Sequence, residues 1–161
     1  PQRKVMNAET LSQIAKQASL DEIESRLAAN QEVTILIRGW SMRPMLFNLR
    51  HHAIICPIQK PLATGDVVVF KYKNRFLIHR IIQIQGENLT IQGDGVPFAT
   101  EKVTRQDVIG VMREAITPRG KHIKCDSEPW IRKSKRWAAV NPNVKYIVLK
   151  FLRLLEILKL I

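Results

Sequence analysis

Apolar positions along the chain change period near residue 32. Before that point they recur at helical spacing, first Leu11, Ile14, Ala15 and Ala18 and then Ile23 and Leu27. Each set follows a stretch of capping-box form, TLSQ (Thr10 to Gln13) and SLDE (Ser19 to Glu22), so two short helices or one broken helix are predicted over 1–31. From Glu32 the pattern becomes short runs rich in Val and Ile: VTILIR, AIICPI, DVVVFKY, RFLIHRIIQIQ, NLTIQ and VIGVM. Turn residues separate them at Pro57 and Pro61, Thr64-Gly65-Asp66, Lys73-Asn74, Gly86-Glu87-Asn88 and Gly93-Asp94-Gly95. Strands this short and this closely spaced predict a mainly β unit over 32–116, a coiled antiparallel fold with flanking helices, and exclude alternating βαβ.

The last part of the chain, 117–161, has a third pattern. PWIRKSKRW (Pro129 to Trp137) interleaves aromatic and basic residues, and YIVLKFLRLLEILKLI closes the chain as an apolar segment interrupted by Lys150, Arg153, Glu156 and Lys159. At three-residue spacing these polar groups wind slowly around a helix, which predicts an amphipathic helix over 146–161 with a slanted polar stripe. It is shorter than the ~20 residues a membrane span needs. Two arrangements satisfy the pattern: a helix docked on its own domain or on a second copy, and a helix lying in a membrane interface with basic residues meeting anionic lipid.

Charge sharpens that choice more than composition does. With 161 residues and 45% hydrophobic content the chain can build a real core. Its formal net charge is +12, and from Thr117 onward eleven Lys and Arg face three acids, so +8 of it belongs to the tail. Trp130, Trp137 and Tyr146 among those cations could stack on bases, but an apolar helix directly after them favours a membrane or protein partner over nucleic acid. Cys56 and Cys125 lie in no metal-ligand spacing and are expected as reduced, buried thiols. No charged n-region leads into an apolar h-region at the start, so no secretory signal peptide is expected, and the protein is expected in the cytoplasm or peripherally on a membrane.

Candidate chemistry centres on RGWSMRPML, where Ser41 stands between Trp40 and Met42. A serine hydroxyl is a weak nucleophile at neutral pH and needs a positioned base. His79, inside the apolar run FLIHRII, is the leading candidate, because imidazole titrates near neutrality. His51, His52 and His122 lie in polar stretches, where solvent exposure accounts for them. Taken alone, Ser41 is better explained as a turn hydroxyl and His79 as a core residue.

The order of the pieces adds a family. GWSMRP, then TGDVVVFKY, FLIHRII, LTIQGDG and DVIGVM together resemble the peptidase family that unites type I signal peptidases with self-cleaving repressor proteases, over about Val33 to Met112. The serine box matches at Ser41, Met42 and Pro44, the base box of the His branch at His79-Arg80, and the Gly-Asp box at Gly93-Asp94. The resemblance implies a serine peptidase in which Ser41 forms the acyl-enzyme and His79 is general base and then acid. It implies an oxyanion hole using the Ser41 N–H with a group from Arg38 to Trp40, and a carboxylate that orients the imidazole, with Glu101 as candidate and Asp94 in reserve. Pro44 and Arg80 fall in the binding boxes. No metal or cofactor is implied, and the substrate would be a peptide or preprotein with small residues before the cut, bound as an added strand.

Two departures accompany the match. Trp40 stands where the family has a small or polar residue, so the cleft should be shaped by a large ring, and FNLRHHA replaces a Gly-Asp turn after the serine box. The membrane anchor that commonly precedes the serine box has polar, capped helices in its place. A self-cleaving repressor would pair serine with lysine and carry an Ala-Gly or Cys-Gly bond, and neither dipeptide occurs here. The alternative to a peptidase is a basic module, for a membrane surface or nucleic acid, on an inactive or self-cleaving version of the same fold. A homo-oligomer stays open on this sequence.

Overall fold

The computed structural model describes residues 20–161. The first expected helix, capped at Thr10, lies outside the described residues. The second forms as helix α1 over 20–28. Eight strands follow: β1 (Val33–Leu36), β2 (His52–Cys56), β3 (Val67–Tyr72), β4 (Arg75–Gln85), β5 (Asn88–Gln92), β6 (Glu101–Thr104), β7 (Val108–Ile116) and β8 (His122–Lys124). Helices α2 (Glu128–Ala138) and α3 (Pro142–Ile157) complete the chain.

All strand pairs are antiparallel, in the order β1-β2-β7-β3-β4-β5-β6, with β8 added to β7. The fold is thus a mainly antiparallel open sheet with three helices among the described residues. Its centre is β3, flanked by β4 and β7 and buried on both faces. Val67 and Val69 enter one core cluster, with Leu27, Met42, Leu46, Ile55 and Trp130, whereas Val68 and Phe70 enter the other, with Ile81, Leu89 and Ile91. Two buried faces explain why VVVF is a continuous apolar run rather than an alternating one. The β3–β4 hairpin turns through Lys73 and Asn74, both at positive φ (46° and 59°), the conformation that tight two-residue hairpins demand.

Helix α1 packs on β7 where Gly110 leaves room. A Cβ built on Gly110 would come within 2.6 Å of Ile55 Cγ2 and 3.1 Å of Leu27 Cδ1, so a side chain there would displace the helix. The sheet does not end at residue 116, where the sequence pattern placed the edge of the β unit. Strand β8 pairs with β7 through Glu114↔Lys124 to Ile116↔His122, and α2 buries Trp130 in the same core as β1 and β2. The basic stretch from 117 is therefore partly integral to the fold. PWIRKSKRW is helical: Pro129 lies in its first turn, Glu128 complements its dipole, and Trp130 and Ser134, one turn apart, face inward.

Candidate active site

Ser41 lies on the loop between β1 and β2, which local bonds and buried anchors shape closely. The Ile37 N–H donates to His51 O (2.9 Å) and the Leu49 N–H to Ile37 O (2.8 Å), closing the loop at its base. Inside it, the Gly39 N–H donates to Asn48 Oδ1 (2.8 Å) with Gly39 at φ 87°, a conformation that costs glycine little. Met42, Met45 and Leu46 are almost fully buried and fix the loop to the sheet, and the Arg43–Pro44 peptide is cis. Met42, expected at the cleft, is therefore a core anchor, because its side chain is sealed among apolar neighbours. Arg38, expected beside the oxyanion, is exposed. No protein acceptor takes the Ser41 N–H among the described residues.

His79 and Arg80 are consecutive on β4 and both buried, so their side chains leave opposite faces of the sheet. His79 pairs across from Val68 and Arg80 across from Val67. The His79 ring stands 6.0 Å from the ring of Phe70, and its Nδ1 is 3.0 Å from Glu101 Oε2, with the carboxylate side chain 14% exposed. Glu101 opens β6, which pairs with β5 through Ile91↔Glu101, so two strand pairings bring the acid to the ring. An ionised carboxylate at Nδ1 fixes the proton on that nitrogen and leaves Nε2 as the basic one.

Asp94, held in reserve as the orienting acid, is engaged elsewhere. Arg80 Nε donates to its Oδ1 and Nη2 to its Oδ2, both at 2.8 Å, while Nη1 donates to Gly65 O at 2.8 Å. Both side chains are 7% exposed. Arg80, expected in a binding role, thus spends its guanidinium inside the fold on a bidentate pair. The main chain of Asp94 is fastened as well, since Trp137 Nε1–H of α2 donates to Asp94 O at 2.7 Å.

The Gly93-Asp94-Gly95 turn is what brings the serine loop to the imidazole. The Gly95 N–H donates to Ser41 O at 2.7 Å. The position a Cβ on Gly93 would take lies 2.5 Å from Ser41 O and 3.0 Å from His79 Nε2, and that on Gly95 lies 2.5 Å from Trp40 O. Two glycines are required because the backbones touch, and the same closeness brings Ser41 O and His79 Nε2 both next to the position a Gly93 Cβ would take. Among the described residues, no hydrogen bond joins Ser41 Oγ to the ring or occupies Nε2.

Helix α3 borders this loop. Arg43 Nη1 donates to Glu156 Oε2 at 2.8 Å in a pair whose side chains are 4% and 15% exposed. Burial is the main influence on Arg43 and lowers its pKa, partly offset by Glu156. Trp40 is 47% exposed, with the guanidinium of Arg153 4.9 Å from its ring centre. The ring walls a cavity of about 290 Å³ shared with Asn48, Arg153, Glu156 and Ile157. Pro44 is half-buried in the same loop.

The remaining histidines are placed differently from one another. His51, expected in solvent, is half-buried: its Nδ1 accepts the Phe47 N–H at 3.1 Å, and burial, then Arg50 and Lys133, lower its pKa. His122 is exposed and pairs with Glu114 at 2.7 Å. Cys56 and Cys125 are free and half-buried, and burial pushes the Cys125 thiol up to about 12. No group of three or more His, Cys, Asp and Glu among the described residues could hold a metal ion. Arg43, Glu156, Trp137 and Gly95 complete the site yet escape sequence reasoning. The available signal was Glu156, the lone acid in an apolar helix.

Compared with known proteins, the chain matches no family model and no curated sequence.

Proposed function

We propose that this chain is a serine endopeptidase of the signal-peptidase-like kind, with Ser41 as nucleophile, His79 as general base and acid, and Glu101 as the carboxylate that orients the ring. One observation carries the reading: Glu101 occupies Nδ1 of His79, while Nε2 is open toward the Gly93 position that Ser41 O also borders. A histidine that served packing alone would have no use for a half-buried acid on one nitrogen and an open second nitrogen beside a serine loop.

In this reading the Ser41 oxygen attacks the scissile carbonyl carbon and its proton passes to His79 Nε2. The imidazolium is stabilised by Glu101, and the anionic oxygen by the unengaged Ser41 N–H. Collapse of the tetrahedral adduct breaks the C–N bond, and Nε2 returns the proton to the departing amine. Water, deprotonated by the same nitrogen, then hydrolyses the ester. Catalytic hydrogen bonds are commonly looser without substrate and tighten on binding, which accommodates the unjoined Ser41 and His79. Among the described residues strand β1 has one neighbour, β2, and it runs into the serine loop. A peptide added along its open side would travel toward Ser41, with small residues suiting a path narrowed by Trp40.

The test is peptide turnover. Ser41→Ala should reduce it by about 10³-fold or more with little change in melting temperature, because the hydroxyl makes no hydrogen bond among the described residues. Turnover that survives the substitution sinks the proposal.

A further inference from the structure

Helix α3 is apolar on both sides. Its inner side buries Leu149 and half-buries Val148, Leu152 and Leu155. Its outer side carries Val144, Ile147, Phe151, Leu154 and Leu158, spaced alternately by three and four residues and between 49% and 67% exposed. The sequence pattern predicted one apolar face and a slanted polar stripe. The stripe exists, but Glu156 at its inner turn faces Arg43, and the outer side is left as aliphatic and aromatic as the inner one. A helix apolar on two sides needs an apolar partner on each of them.

The charges around that outer side select the partner. Lys150, Arg153 and Lys159 are exposed, and the one acid of α3 is withdrawn into the pair with Arg43. Helix α2 adds exposed Lys133, Lys135 and Arg136. A second copy of the chain would set the cations of α3 against their own counterparts across the contact, with the one acid of the helix already committed to Arg43. A nucleic acid could use the cations but would leave the hydrocarbon in water. A bilayer with anionic headgroups satisfies both, since Lys and Arg extend their charges to the headgroups while the aliphatic row enters the acyl boundary. Phe98, 64% exposed and 6.1 Å from the ring of Tyr146, extends the apolar surface beyond the helix. No helix among the described residues is long and apolar enough to cross a membrane.

We infer that α3 is a docking helix that lies flat on an anionic lipid surface through the Ile147, Phe151 and Leu154 side. The inference stands apart from the peptidase reading, because it uses none of Ser41, His79 or Glu101. It does add a consequence: a docked α3 brings the serine loop to the lipid surface through Arg153 on Trp40 and Glu156 on Arg43.

Cosedimentation of the chain with vesicles tests it. Vesicles of phosphatidylcholine with phosphatidylglycerol should bind at least about tenfold more tightly than phosphatidylcholine alone, and the difference should shrink with added salt. Phe151→Glu should weaken binding to the mixed vesicles about tenfold or more. As a variant that keeps the side's apolar character, Phe151→Trp should fold normally, shift its added emission to the blue on mixed vesicles and be quenched by bromine-labelled lipid. Absence of vesicle binding, or an unshifted and unquenched Trp at 151, overturns the inference. A concentration-dependent dimer that Phe151→Glu dissolves, with no lipid binding, overturns it in favour of a second copy.

Discussion

Two neighbouring residues of β4 each meet a carboxylate, and the two pairs are built for different ends. On one face, Arg80 is held by both oxygens of Asp94 and by Gly65 O, and both side chains are 7% exposed. On the other, His79 has an acid at Nδ1 alone, and Nε2 stays open. The first pair is buried and doubly bonded, so its effect is to hold the Gly93-Asp94-Gly95 turn against the sheet. The second is half satisfied, with one ring nitrogen open, which is what the proposed proton exchange requires. Adjacent positions on one strand thus carry a fully held pair and a half-held one because the pleat sends them to opposite sides.

The comparison breaks most visibly at Asp94. Asp94→Ala leaves a buried guanidinium without its counter-charge, and thermal or urea unfolding should show a loss of about 3–5 kcal/mol. Glu101→Gln should do the converse: a small change in melting temperature and a fall in kcat of about 10²–10⁴-fold, because the neutral amide cannot stabilise the imidazolium. If Glu101→Gln unfolds the protein while Asp94→Ala stays folded, the two pairs have exchanged roles and the distinction fails.

His51 gives the smallest effect and sharpens the contrast by showing an imidazole used for structure alone. Burial, then the nearby Arg50 and Lys133, lower its folded pKa below the ordinary 6.5. The unfolded chain therefore binds the extra proton first as the pH falls. The His51 contribution to stability should be fully present above pH 6.5 and disappear as the pH drops below it toward the depressed folded value. Melting temperatures measured from pH 7 down to pH 5 should fall less steeply in His51→Gln than in the wild type. An identical slope would mean that burial and the nearby cations do not depress the ring.

Much of the sheet was legible in the chain. RFLIHRIIQIQ and NLTIQ coincide with β4 and β5, because turn residues bound each one and apolar residues fill the buried positions of both. The four residues EKVT of β6 carry one buried side chain and read as loop, and HIK of β8 carries none. Helix α2 was hidden by its charge: basic residues between tryptophans drew attention to a partner, although Ser127, Glu128 and Pro129 give an ordinary helix start. In the site, Ser41, His79 and Glu101 came from a resemblance, and spacing alone could not have joined a serine, a histidine and an acid on three different elements. The bidentate hold of Arg80 on Asp94 and the inward turn of Glu156 depend on packing between distant segments, which no local pattern encodes.

Arg43 and Glu156 are 113 positions apart in the chain. During synthesis the loop carrying Ser41 therefore leaves the ribosome with Arg43 unneutralised, and its counter-charge arrives only with the last turn of α3. The order of translation makes the C-terminal helix the closing step of the site, so a chain still being made carries its serine loop without the support of α3.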